Sequence, residues 1–89
     1  LRRQRQMCIR DRQYTVLINC LREQRLASGQ TQQQLAEKLG VNQSYVSKYE
    51  QCQRKLDFIE LRHIVLALGT TLPSFTLTFE SRLRKLGLN

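Results

Sequence analysis

Tryptophan is absent from this chain of 89 residues, proline and histidine occur once each, and β-branched runs are scarce. The shortage of β-branched and aromatic residues argues against a sheet and for helices. A single histidine cannot furnish the base, nucleophile or metal set of most enzymes. The P-loop, dinucleotide-binding and H-E-x-x-H patterns are also missing. No catalytic residue, cofactor or metal is therefore expected. The three cysteines, Cys8, Cys20 and Cys52, are odd in number, far apart and form no C-x-x-C pair, which speaks against a zinc site. Apolar runs are too short for a membrane span or a signal peptide. The expected compartment is a reducing cytoplasm.

What the chain does have is positive charge, +8 in formal balance, which suits a polyanionic partner such as nucleic acid. Half of that excess lies in residues 1–12, LRRQRQMCIRDR, where five arginines face only Asp11. This segment resembles translated adapter sequence, and it is expected to be a non-native scar or a disordered basic tail. A basic arm that wraps DNA is the alternative. Residues 13–89 keep ten basic against six acidic residues, so the bias survives.

Helical periodicity begins with Tyr14, Leu17, Ile18 and Leu21, in a helix expected over Gln13–Ser28 and ended by Gly29. Cys20 falls on this helix as packing. Thr31 and Gln34 form a capping box that opens a short second helix, with Leu35, Ala36 and Leu39 on one side and Gly40 as its stop. Asn42 caps a third helix from Gln43 to about Gln51. After the loop CQRKL, Asp57 and Glu60 box a fourth helix with Leu61, Ile64, Val65 and Leu68 as its stripe. His63 on this helix reads as surface or packing. Thr71 caps a fifth, with Pro73 in its first turn, where a missing N–H is tolerated. Phe75, Phe79, Leu83 and Leu86 form the stripe of that last helix, which either packs on the bundle or dimerises. The expected division is a tail (1–12), a helix-turn-helix domain (13–70) and a C-terminal helix (71–89).

The segment TQQQLAEKLGVNQSYVSKYEQ joins two short helices through a tight turn at Gly40. Ala36 is small enough for a close crossing, and Gly40 accepts a positive φ. Leu35, Leu39, Val41, Val46 and Tyr49 are expected to fill the space between this pair and the rest of the bundle. On a helical wheel of the third helix, Gln43, Ser44, Ser47, Lys48 and Gln51 share one side, opposite Tyr45, Val46 and Tyr49. Ordinary solvated faces favour Glu and Lys. This one is rich in amides and hydroxyls, groups that can bond base edges in a major groove.

Residues 14–69 resemble the Cro/CI-type (XRE family) helix-turn-helix domain, through Gln32, Leu35, Ala36, Gly40, Val46, Ser47, Glu50 and the LALG that ends the fourth helix. The resemblance implies an all-α, lambda-repressor-like bundle of about five short helices. It also implies a sequence-specific, duplex-DNA-binding transcriptional regulator, expected to be a repressor and a homodimer. Base contacts are expected from Gln43, Ser44, Ser47 and Lys48, and phosphate contacts from Thr31, Gln32, Gln53, Arg54 and Lys55. Gln32 could instead be an ordinary helix-start residue, and Arg54 could pair with Glu50, while Lys55 is favoured for DNA. Cys52 stands where the family usually has glycine, so it must adopt a left-handed turn or shift it. The rival reading is an antitoxin or phage accessory protein that uses the scaffold, helix five above all, to bind a small protein partner.

Overall fold

The computed structural model describes residues 8–89, and the part of the basic tail before Cys8 lies outside them. Five helices follow in order: α1 (Ile9–Ala27), α2 (Gln32–Leu39), α3 (Gln43–Glu50), α4 (Phe58–Ala67) and α5 (Leu72–Leu86). No strand occurs among the described residues. The fold is the expected all-α bundle.

The helix ends follow local chemistry. Thr31 Oγ1 accepts the Gln34 N–H at 3.0 Å while the Gln34 side chain accepts the Thr31 N–H at 2.9 Å. Asp57 and Glu60 make the same reciprocal pair at the start of α4. Thr71 caps α5 by accepting the Ser74 N–H. Asn42 stands at the N-cap of α3, but its side chain makes no capping bond. The largest difference from expectation is at α1, which starts at Ile9, four residues before Gln13. Cys8 supplies the extended N-cap backbone, the Arg12 N–H bonds the Cys8 carbonyl, and Asp11 lies in the first turn, where a carboxylate favours the helix dipole. Apolar periodicity cannot mark such a turn, because Ile9, Arg10, Asp11 and Arg12 are all exposed.

Ile18, Leu21, Leu35, Ala36, Val46, Tyr49, Ile64, Val65 and Phe75 form a core drawn from all five helices. Helix α2 packs on α3 and α4, α1 packs on α3 and α5, and α4 packs on α5. Cys20 is buried within this core. On α5, Phe75 and Leu83 are buried and Phe79 is half-buried, whereas Leu86 is exposed. Most of the predicted stripe therefore seats this helix on the bundle. No helix among the described residues is long and apolar enough to cross a membrane.

Candidate nucleic-acid interface

The α2–α3 corner is set by two small residues. Ala36 is fully buried, and Gly40 turns the chain at φ 72°. The Val41 N–H reaches back to the Ala36 carbonyl at 3.0 Å, and the Gly40 N–H bonds Glu37, which closes α2 with a left-handed cap. Leu35, Val46 and Tyr49 fill the space beneath, and Leu39 packs partly against it. Val41 does not join them; it stays exposed at the corner.

Helix α3 separates its faces as the wheel predicts. Val46 and Tyr49 are buried and Tyr45 half-buried, while Gln43, Ser44, Lys48 and Gln51 are exposed and Ser47 is partly so. Burial pushes the Tyr49 phenol well above its ordinary range, so that ring is a neutral core element.

A chain of polar contacts holds the first turn of α3. Arg25, near the end of α1, is only 6% exposed. Its Nε and Nη2 donate to the two carboxylate oxygens of Glu50 at 2.7 and 3.0 Å, and its Nη1 donates to the Gln30 carbonyl. Glu50 Oε1 also accepts from Gln32 Nε2 at 2.9 Å. Gln32 Oε1 in turn accepts from Gln43 Nε2 at 2.6 Å. A buried, bidentate ion pair thus fixes the Gln32 amide, and that amide fixes Gln43 at the exposed tip. Beside this chain an open cleft of about 580 Å³ is lined by Arg25, Gln30, Thr31, Gln32 and Gln43 among others. Thr31 contributes its hydroxyl oxygen to its own cap.

The other end of α3 is finished differently. Cys52 takes φ 61°, the one positive φ of a non-glycine residue among those described. The Cys52 N–H bonds the Tyr49 carbonyl and the Gln53 N–H bonds the Lys48 carbonyl at 2.8 Å. This is the paired bonding of a Schellman cap, with cysteine in the glycine position. The turn keeps its left-handed form and is not displaced. The loop beyond it rests on three aromatic or acidic anchors. The Tyr14 hydroxyl accepts the Leu56 N–H at 3.1 Å. The Arg54 guanidinium lies 4.7 Å from the Tyr45 ring centroid, and Lys55 Nζ lies 4.3 Å from that of Tyr14. Arg54 pairs with Glu60, not with Glu50, whose carboxylate is already taken by Arg25. The Asp57 backbone N–H and the Arg54 guanidinium together hold the Glu60 carboxyl below its usual range. Gln53 and Lys55 are exposed.

Of the expected contact residues, Thr31, Gln32, Gln43, Ser44, Ser47 and Lys48 lie at the start of α2 and along the outer side of α3. Gln53, Arg54 and Lys55 sit on the adjoining loop. Sequence reasoning did not identify Arg25 as the residue that anchors this group, nor Glu60 as the partner of Arg54. The available signal was the Glu50 match, which calls for a cation and does not say which.

A family model described as helix-turn-helix matches residues 21–75. A solved XRE-family like protein from Pseudomonas syringae pv. tomato str. DC3000 is 38% identical, with a TM-score of 0.78 over 83% of this chain and 90% of that one. The chain belongs to the XRE-type helix-turn-helix family. That family is DNA-binding and non-enzymatic. The restriction-modification controller protein C.Esp1396I shares the fold, at 24% identity and a TM-score of 0.76 over 80% of this chain and 93% of that one. No curated protein matches.

Proposed function

We propose that this XRE-type protein is a sequence-specific repressor that reads the major groove with the outer face of α3 and occupies DNA as a homodimer. The observation that carries the reading is the bond from Gln43 to Gln32, backed by the buried Arg25–Glu50 pair. A glutamine amide discriminates adenine better when its plane is fixed before docking, since a freely turning amide adapts to other bases at less cost. Gln43 and Ser44 stand in the first turn of α3, the part that enters a groove most deeply in this class of motif. Ser47 and Lys48 continue the base-reading face, and Thr31, Gln32, Gln53, Arg54 and Lys55 supply the phosphate contacts.

A helix of eight residues reads few base pairs, so useful specificity calls for two half-sites about 34 Å apart, and hence for two copies. Leu66 on α4 and Leu77 and Leu86 on α5 remain exposed, apolar surface that a second copy would cover.

Selection from a pool of random duplexes, followed by titration and footprinting of the enriched site, tests the reading. A palindromic site protected over both halves is expected, with affinity that falls steeply as salt rises. Protection of a single half at saturation overturns the dimer. Failure to enrich any sequence overturns specific recognition, and co-purification of a small protein in its place would support the partner-binding alternative.

A further inference from the structure

The loop after α3 is electrically balanced. Residues 51–60 carry Arg54 and Lys55 against Asp57 and Glu60, although the chain as a whole is strongly basic. The two cations are not equivalent. Lys55 has no carboxylate partner among the described residues; a ring face holds it and leaves its charge intact. Arg54 lies over the Tyr45 ring and donates from Nη2 to Glu60 Oε2 at 2.5 Å. Glu60 cannot swing away cheaply, because its Oε1 accepts the Asp57 N–H at 2.9 Å and closes the capping box of α4. A fixed carboxylate therefore stands beside the one arginine of the loop, with 43% of the Arg54 side chain and 26% of the Glu60 side chain exposed.

We propose that Glu60 is an internal competitor for the phosphate backbone: it occupies Arg54 and so lowers the affinity of the module for DNA of any sequence. The proposal rests on the DNA-binding reading above and deepens it. An exposed ion pair is weak, so a phosphate can displace it. The displacement forfeits the pair and leaves the Glu60 carboxylate close to the incoming phosphate. Both effects reduce sequence-independent binding. They leave base reading by α3 untouched, because Gln43 is held through Gln32 and the buried Arg25–Glu50 pair, a set of bonds that includes neither Arg54 nor Glu60.

The test is Glu60→Gln in the full chain. Glutamine serves at the third position of a capping box, so α4 keeps its N-terminal bonds while the charge is lost. Binding to a random-sequence duplex is titrated at several salt concentrations for the wild type, Glu60→Gln, Arg54→Gln and the double variant. Glu60→Gln should tighten binding about three- to tenfold near 0.1 M salt, and steepen the slope of log K against log salt by at most about 0.9, the value of one full phosphate contact. In the Arg54→Gln background the same change should give less than about a twofold gain and no change in slope, since no arginine is left to release. Equal or weaker binding by Glu60→Gln overturns the proposal while duplex binding itself stands. So does an equal gain with and without Arg54, which would show only general repulsion. Absence of salt-sensitive duplex binding in all four proteins overturns this proposal and the DNA-binding reading together.

Discussion

The first turn of α3 and the loop beyond its last turn are secured by opposite kinds of chemistry. The support of the first turn traces to a buried pair: Arg25 and Glu50, the last residue of the helix, are sequestered from water, and Gln32 carries their order along the helix to Gln43. In the loop beyond the helix it is exposed: Arg54 and Lys55 lie over tyrosine rings, and Glu60 holds Arg54 at the surface. Buried pairs are little affected by salt and expensive to break, whereas exposed pairs are weak and screened. On the proposed reading, the part that discriminates bases is thereby rigid, and the part that meets phosphates is adjustable. Specificity needs the first property, because an ill-held amide loses its preference. Adaptation to the shape of a duplex needs the second.

The comparison breaks most severely if the buried pair is broken. Glu50→Ala leaves the Arg25 charge without its partner in a nearly closed site and should cost about 3–5 kcal/mol in urea unfolding. In a small domain whose total stability is on the order of 5–15 kcal/mol, that is a large share. A loss below about 1 kcal/mol would show that water reaches Arg25 readily, and the claimed rigidity of the first turn would fail.

Next in size is Gln43→Ala. It should weaken binding to the preferred site by about 1–3 kcal/mol and leave random duplexes nearly unaffected. Its salt slope should match the wild type, because no charge is removed. An equal loss on both DNAs would place the reading face elsewhere on the helix. Lys55→Ala supplies the complementary result in the loop. Preferred and random DNA should weaken alike, with the salt slope shallower by about one unit. If Lys55→Ala acts on the preferred site alone, the first turn and the loop do not divide the work as described.

These contrasts also mark what the sequence disclosed. The helix starts at Thr31, Asp57 and Thr71 and the corner at Ala36 and Gly40 depend on residues within a few positions of one another, so they were legible directly. The polar face of α3 followed from periodicity alone. The Arg25–Glu50 pair spans 25 positions and joins α1 to α3, and a cation at the end of a helix gives no sign of whether it faces water or core. The Arg54 partner was missed for a different reason: the alternative weighed for it, Glu50, requires α3 to run on, whereas the helix ends in a left-handed turn at Cys52 and carries Arg54 toward α4. Val41 was placed inside because it is apolar, but the corner turns it outward.

That left-handed turn gives the smallest and most local test. Cys52 is exposed and occupies the position where a Schellman cap ordinarily has glycine, at φ 61°. A residue with a Cβ in this conformation costs roughly 1–2 kcal/mol, because the Cβ crowds the following carbonyl. Glycine removes the crowding, and it also gives the unfolded chain more freedom, which offsets about 0.5–1 kcal/mol. Cys52→Gly should therefore stabilise the protein by about 0.5–1 kcal/mol in urea unfolding, with affinity for either DNA unchanged. Cys52→Ala is the control. It removes the thiol and keeps the Cβ, so its stability should stay at the wild-type value. If alanine stabilises as much as glycine does, the thiol and not the backbone is responsible. If glycine destabilises, the loop gains more from a stiff cysteine than the turn loses to crowding. The loop after α3 would then be held more firmly than its contacts suggest, and the contrast with the first turn would narrow.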